Sequence, residues 1–140
     1  MSIYGIVGLG KMGTALSAIL SHQTQHQFQT FNRLSANNQA TLESCDVVIE
    51  FTTPDAAPGI IKHCIESGIP IVSGTTGWQE YHLHSIIKWC QMKEGKFLYA
   101  SNFSIGMNII SKEAICRWLR VGTPFFERWP YAAATPAIAD

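Results

Sequence analysis

The stretch "GIVGLGKMGTAL", Gly5 to Leu16, decides the fold. It completes a short β-branched run that reads as a strand from Ile3 to Gly8. Met12, Ala15, Leu16, Ile19 and Leu20 then recur at helical spacing, which predicts that they share the buried face of a first helix. Gly8-x-Gly10-x-x-Gly13 falls at the junction, the context in which three glycines take separate tasks. Gly8 makes the tight turn, Gly10 lets backbone approach a pyrophosphate, and Gly13 lets helix and strand pack closely. The helix start adds N–H donors and the positive end of a dipole. The stretch therefore predicts a dinucleotide loop, against the alternative of a plain strand-to-helix turn.

Outward from it, strands and helices alternate. "FQTFN" reads as a second strand, and a short polar connection from Leu34 to Ser44 has room for one helical turn. "DVVIEF" (Asp46 to Phe51) is a nearly continuous apolar run of the kind a buried parallel sheet uses. Thr53 is placed to cap the next helix, with Pro54 at its first position. That helix carries Ala57, Ile60, Ile61, Cys64 and Ile65 on one face, and Gly68 stops it. "IPIVSG" is the fourth strand, Leu83, Ile86, Ile87 and Cys90 mark the next helix, and "KFLYA" is the fifth strand. A last helix is expected from Gly106 to Leu119, with Met107, Ile110, Ala114 and Trp118 on a shared face. The pattern predicts an α/β fold, a Rossmann-like doubly wound parallel sheet in a single domain over residues 1–120. Residues 121–140, with three prolines and no period, read as an irregular tail. Within it Phe125, Phe126, Trp129 and Tyr131, together with Trp118, are candidates to fold back or self-associate.

Composition narrows the class. Of 140 residues 46% are apolar and 14% charged, which suits a packed core and argues against disorder. Ten basic and ten acidic residues cancel, so no strong field draws nucleic acid or anionic lipid. The apolar runs fall well short of the roughly 20 residues of a membrane span. No basic leader follows Met1, and the expected compartment is the cytoplasm. Cys45, Cys64, Cys90 and Cys116 form no CxxC pair and read as buried thiols, so no metal site is expected.

Three further stretches sit where consecutive strands end: "FTTP" (Phe51 to Pro54), "SGTTGW" (Ser73 to Trp78) and "ASNFS" (Ala100 to Ser104). Open α/β sheets bind ligands outside the carboxyl ends of their strands. A cap or a turn explains each stretch singly; together they favour one site shared with the glycine loop. At the end of the second strand, where NAD binders place a carboxylate, the chain reads Phe31-Asn32-Arg33-Leu34. Arg33 suits a 2′-phosphate, and Lys11 adds positive charge, so NADPH is expected ahead of NADH.

"VGLGKMG", "VVIEFTTPDA", "GIPIVSGTTGW" and "ASNFSIGMNI" occur in an order and spacing that resemble the 4-hydroxy-tetrahydrodipicolinate reductase (dihydrodipicolinate reductase) family, over about residues 3–112. The resemblance implies an NAD(P)H-dependent oxidoreductase of lysine (diaminopimelate) biosynthesis. It also implies a cyclic dicarboxylate substrate and a homotetramer built through a second, mixed-sheet domain. Gly8, Lys11, Met12 and Gly13 correspond to the family's phosphate loop, with Gly10 between them, and Arg33 to its ribose and 2′-phosphate reader. Phe51 and Thr52 correspond to the cofactor lining, and Gly74, Thr75 and Thr76 to the loop at the nicotinamide carboxamide. Thr76 is also the expected substrate contact, and Ala100, Asn102 and Phe103 are expected to flank the nicotinamide.

The resemblance also exposes a departure. The family's second domain supplies a His-His pair, a following lysine and an S-G-T segment that grip and protonate the substrate. All five histidines here precede residue 85, and Lys112 is the sole lysine after Lys96. No residue is assigned the catalytic acid role. The chain is accordingly expected to be truncated relative to the family, lacking the C-terminal mixed-sheet domain, and to bind NADPH without turnover. The alternatives are a stand-alone NADP-binding module or sensor, or a dehydrogenase of another family sharing the first domain.

Overall fold

A computed structural model of the chain describes residues 2–23 and 25–99. Five strands and four helices alternate among them: β1 (Ser2–Val7), α1 (Lys11–Ser21), β2 (His26–Phe31), α2 (Gln39–Glu43), β3 (Val47–Glu50), α3 (Ala57–Glu66), β4 (Ile71–Ser73), α4 (Gln79–Met92) and β5 (Phe97–Tyr99). The sheet order is β2-β1-β3-β4-β5, and the pairings of β1 with β2, β1 with β3, and β3 with β4 are all parallel. The chain thus builds outward from β1 in one direction, returns, and builds in the other. That reversal between β1 and β3 is the topological switch point of a Rossmann-like sheet.

The core follows from the apolar runs. Val47, Val48 and Ile49 of β3 are all buried, as are Ile71 and Val72 of β4 and Ile6 and Val7 of β1. Strands covered on both faces read as continuous apolar runs because both sets of side chains leave water. Each such side chain is worth roughly 1.5–3 kcal/mol of transfer free energy. The expected face of α3 is buried in full: Ala57, Ile60, Ile61, Cys64 and Ile65. In α4 only Ile86 is fully buried, with Leu83, Ile87 and Cys90 partly so.

Two local expectations are corrected. α1 buries Gly13 and Leu16, while Met12 and Ile19 remain 36% and 45% exposed. Close approach of Gly13 to β1 sets the rotation of this helix, and it overrides the apolar pattern. Likewise α3 begins at Ala57 with Pro58 in its first turn, three residues after the expected start. Thr53 instead closes a preceding turn: its carbonyl accepts from the N–H groups of Ala56 (3.1 Å) and Ala57 (2.9 Å), and its Oγ1 accepts from Ala56 N at 3.4 Å.

The first compact unit of the chain runs from Met1 to Leu98. The expected last helix (Gly106 to Leu119), the tail from residue 121 with its aromatic residues, the domain limit at residue 120, and Cys116 lie outside the described residues. Among the described residues no helix is long and apolar enough to cross a membrane.

Cys45 and Cys64 are buried free thiols. Burial pushes the Cys64 thiol from 9.0 up to about 12, with neighbouring Cys45 and Glu50 adding to the effect. The fold therefore holds the Cys64 proton more tightly than the unfolded chain does. The stability this carries is complete below pH 9.0 and is lost as pH rises toward about 12. Between about pH 8.5 and 10.5 the parent should lose about 2 kcal/mol more than a Cys64→Ala variant, read from urea melts at each pH. Parallel pH profiles for the two proteins would contradict this.

Candidate functional site

The register brings the strand ends level. Val7 lies opposite both Phe31 and Glu50, and Glu50 lies opposite Ser73. Hydrogen bonding continues one residue beyond the strands: Gly8 N donates to Phe31 O (2.8 Å), Phe51 N to Val7 O (2.8 Å) and Gly74 N to Glu50 O (3.0 Å). The chain after β1, β2, β3 and β4 consequently leaves from one carboxyl edge. Gly8–Gly10, Arg33, Phe51–Thr52 and Gly74–Thr76 are all on it.

The glycine loop is built by two steric contacts. Gly8 has φ +92°, and a Cβ there would lie 2.0 Å from Phe51 O. A Cβ on Gly13 would lie 1.9 Å from Gly8 O. Helix, turn and the end of β3 are stacked chiefly through backbone atoms, with the Thr52 methyl beside Gly8, and only hydrogen fits between them. Gly10 differs: it is the N-cap of α1, and a Cβ on it would meet nothing within 4 Å. No side chain caps this helix start, and its first turn carries no acidic residue. Lys11 and Met12 of that turn are exposed. An uncapped start of an 11-residue helix, open over Gly10 and flanked by a lysine, fits the pyrophosphate of a dinucleotide.

The β3–α3 and β4–α4 loops are joined through Glu50, a residue that neither periodicity nor motif singles out. Its side chain is completely buried. Ser73 Oγ donates to Glu50 Oε1. Glu50 Oε2 accepts from Thr75 Oγ1 (2.8 Å), Thr52 Oγ1 (2.8 Å) and Thr52 N (3.1 Å). Thr52 N also donates to Thr75 Oγ1 at 2.7 Å. Among the described residues Glu50 has no ion-pair partner, so hydroxyls and an amide replace its hydration shell. The one signal in the sequence is a lone carboxylate inside "VVIEF", a residue type that almost never enters a core without partners.

Thr75 has its hydroxyl turned into the loop itself. It is 6% exposed and its hydroxyl is engaged with Glu50 and Thr52, so that group holds the loop in shape. Thr76 is exposed at the loop tip. Gly77 follows with φ +91°, and a Cβ on it would come within 3.2 Å of Pro54 Cγ. Trp78, 1% exposed, anchors the far end, its Nε1 donating to Thr75 O at 2.6 Å. Phe51, Thr52 and Gly74 are half-buried beneath the edge.

Arg33 is exposed two residues beyond β2. Its turn is shaped by Asn38, whose Nδ2 donates to Arg33 O (2.9 Å) and whose Oδ1 accepts from Ser35 N (2.8 Å). Ala100, Asn102 and Phe103 lie outside the described residues. Among the described residues no group of three or more His, Cys, Asp or Glu side chains is placed to hold a metal ion.

Comparison with known proteins gives a consistent picture. Residues 2–103 match the family described as "Dihydrodipicolinate reductase, N-terminus". A 4-hydroxy-tetrahydrodipicolinate reductase from Christiangramia forsetii is 33% identical over 104 residues, covering 74% of this chain and 43% of that protein. The chain thus spans less than half the length of this curated relative. Among solved structures, a dipicolinate-bound dihydrodipicolinate reductase from Paenisporosarcina sp. TG-14 superposes with a TM-score of 0.63 at 20% identity, covering 84% of this chain and 54% of the other. A hyperthermophilic archaeal homoserine dehydrogenase mutant in complex with NADPH gives a TM-score of 0.54 at 12% identity, covering 71% and 44%. Both likenesses are of fold.

Proposed function

The chain belongs to the dihydrodipicolinate reductase family, through the N-terminal domain that residues 2–103 match, and we propose that it holds NADPH, with NADH as second choice, along the carboxyl edge of its sheet. The observation that carries this reading is the open, uncapped start of α1 over Gly10, at the switch point and on the same sheet edge as the β3–α3 and β4–α4 loops. In the proposed complex the N–H groups at the start of α1 and Lys11 hold the pyrophosphate, and Arg33 meets the 2′-phosphate. Phe51, Thr52 and the Gly74–Thr76 loop line the nicotinamide half, and the family resemblance alone assigns Ala100, Asn102 and Phe103 to the same cofactor.

Bound there, the cofactor supplies a hydride. The protein's own part is to orient the cofactor and exclude water, and exposed Thr76 is the residue we assign to a substrate carboxylate. By family, the reaction is reduction of 4-hydroxy-tetrahydrodipicolinate in the diaminopimelate route to lysine. We further propose that this 140-residue chain binds NADPH without turnover by itself. It carries no histidine after His84 and one lysine after Lys96, so no proton donor is assigned in it.

Titration of the chain into NADPH, followed by nicotinamide fluorescence, tests the reading. Saturable binding is expected, and no change up to millimolar cofactor would sink it. Arg33→Ala should weaken NADPH about tenfold or more, the loss of a charge-assisted contact, while NADH binding changes less than about twofold. Equal losses for both cofactors would remove Arg33 from the 2′-phosphate. Steady turnover of the cyclic dicarboxylate by the chain alone would overturn the binding-only proposal.

A further inference from the structure

We propose that Glu50 is a positioning residue: its buried carboxyl ties the β3–α3 and β4–α4 loops into one unit, and the spacing of that unit sets cofactor affinity. The inference rests on the dinucleotide-binding reading and adds to it a residue that touches no ligand. Three observations meet at this side chain.

The first is connectivity. Glu50 holds the β4–α4 loop twice, through its main-chain oxygen to Gly74 N (3.0 Å) and through its carboxyl to Ser73 and Thr75. It holds its own loop through both the N–H and the hydroxyl of Thr52. Thr75 Oγ1 closes the circuit, donating to Glu50 Oε2 and accepting from Thr52 N at 2.7 Å. Thr52 and Thr75 are 23 positions apart in sequence, and this circuit links them directly.

The second is place. Glu50 is the last residue of β3, and Phe51, directly after it, presents the carbonyl against which Gly8 packs. A displacement at Glu50 is therefore felt on the glycine loop as well as on the Gly74–Thr76 loop. The third is chemistry. A fully buried carboxyl is a costly group to keep, and a hydrophobic residue would pack β3 as well. What a carboxyl adds is a planar acceptor that receives several donors at once and fixes their directions.

Each single variant is read three ways in the full chain: NADPH dissociation constant, urea midpoint, and amide exchange of Thr52 relative to Val48, whose N–H is held in the sheet by Pro70 O (2.9 Å). Thr75→Val keeps the shape and cuts the circuit. It should weaken NADPH about tenfold and speed Thr52 exchange about tenfold, with Val48 exchange unchanged. Glu50→Gln keeps an oxygen acceptor for the Thr52 and Thr75 donors, and the Ser73 hydroxyl can turn to accept from the new amide. It should stay within about threefold of the parent on both counts. Glu50→Val should show the larger loss, provided its midpoint shows it folded.

If folded Thr75→Val matches the parent in Thr52 exchange and in NADPH affinity, the proposal is overturned. It is equally overturned if Thr52 and Val48 exchange accelerate together, since that marks a general loss of stability. A parent chain that binds no nicotinamide cofactor overturns the functional reading and the cofactor clause with it. A parent that binds, beside a Thr75→Val that binds as well, overturns the positioning claim alone.

Discussion

Gly13→Ala is expected to destabilise the fold strongly. The new methyl would stand 1.9 Å from the carbonyl oxygen of Gly8. That obstacle is backbone, so no side chain can swing away, and relief requires α1 to lift off β1. Overpacking a core commonly costs about 1–3 kcal/mol, and a backbone clash this deep belongs at or beyond the upper end. Set against a typical total stability of about 5–15 kcal/mol, the loss should lower the thermal midpoint by roughly 10–20 °C. Gly8→Ala should behave alike, because its methyl meets Phe51 O at 2.0 Å and its φ of +92° is one that L side chains rarely adopt. Circular dichroism melts check both variants. A midpoint within a few degrees of the parent would show that the helix–turn–strand contact is looser than these distances imply.

The same chemical change at Gly10 should do the opposite: preserve the fold and remove the ligand. Gly10 has φ −71° and ψ −161°, which alanine adopts freely, and its new methyl meets nothing within 4 Å. The effect on stability should stay within about 1 kcal/mol, the range of an N-cap replacement. In the proposed complex the vacant direction over Gly10 is the path by which a phosphate reaches the N–H groups of α1. A methyl there holds the anion off and forfeits one or two charge-assisted hydrogen bonds, so NADPH affinity should fall roughly 30- to 100-fold. Fluorescence titration beside a melt of the same sample tests it. Parent-like affinity in a folded Gly10→Ala protein would move the pyrophosphate elsewhere. The two experiments together separate glycines that build the fold from the glycine proposed to serve a ligand.

Much of this architecture is legible in the sequence. Strand and helix periods place eight of the nine elements in the right order, with room for the short α2 between β2 and β3, because burial in a parallel sheet demands unbroken apolar runs such as Val47 to Ile49 and a single apolar face such as that of α3. The spacing of the glycines at the end of β1 marks where the backbone packs closely, since those constraints are local to one turn. The rotation of α1 is not legible. Its apolar residues suggest a face containing Met12 and Ile19, while the Gly13 contact turns both toward water. The start of α3 is displaced for a related reason, Thr53 closing a separate turn before Pro58 enters the helix.

By itself the sequence determined the alternation of elements, the glycine loop and the family to which residues 2–103 belong. The tertiary structure alone decided which strands lie side by side, and with that which loops share an edge. It also decided that Glu50 binds loops together and that Thr75 turns inward to meet it. The division has a physical cause. Periodicity and turn chemistry act between residues a few positions apart, whereas the Glu50 circuit joins groups 23 and 25 positions apart, and only strand pairing brings those within hydrogen-bond reach.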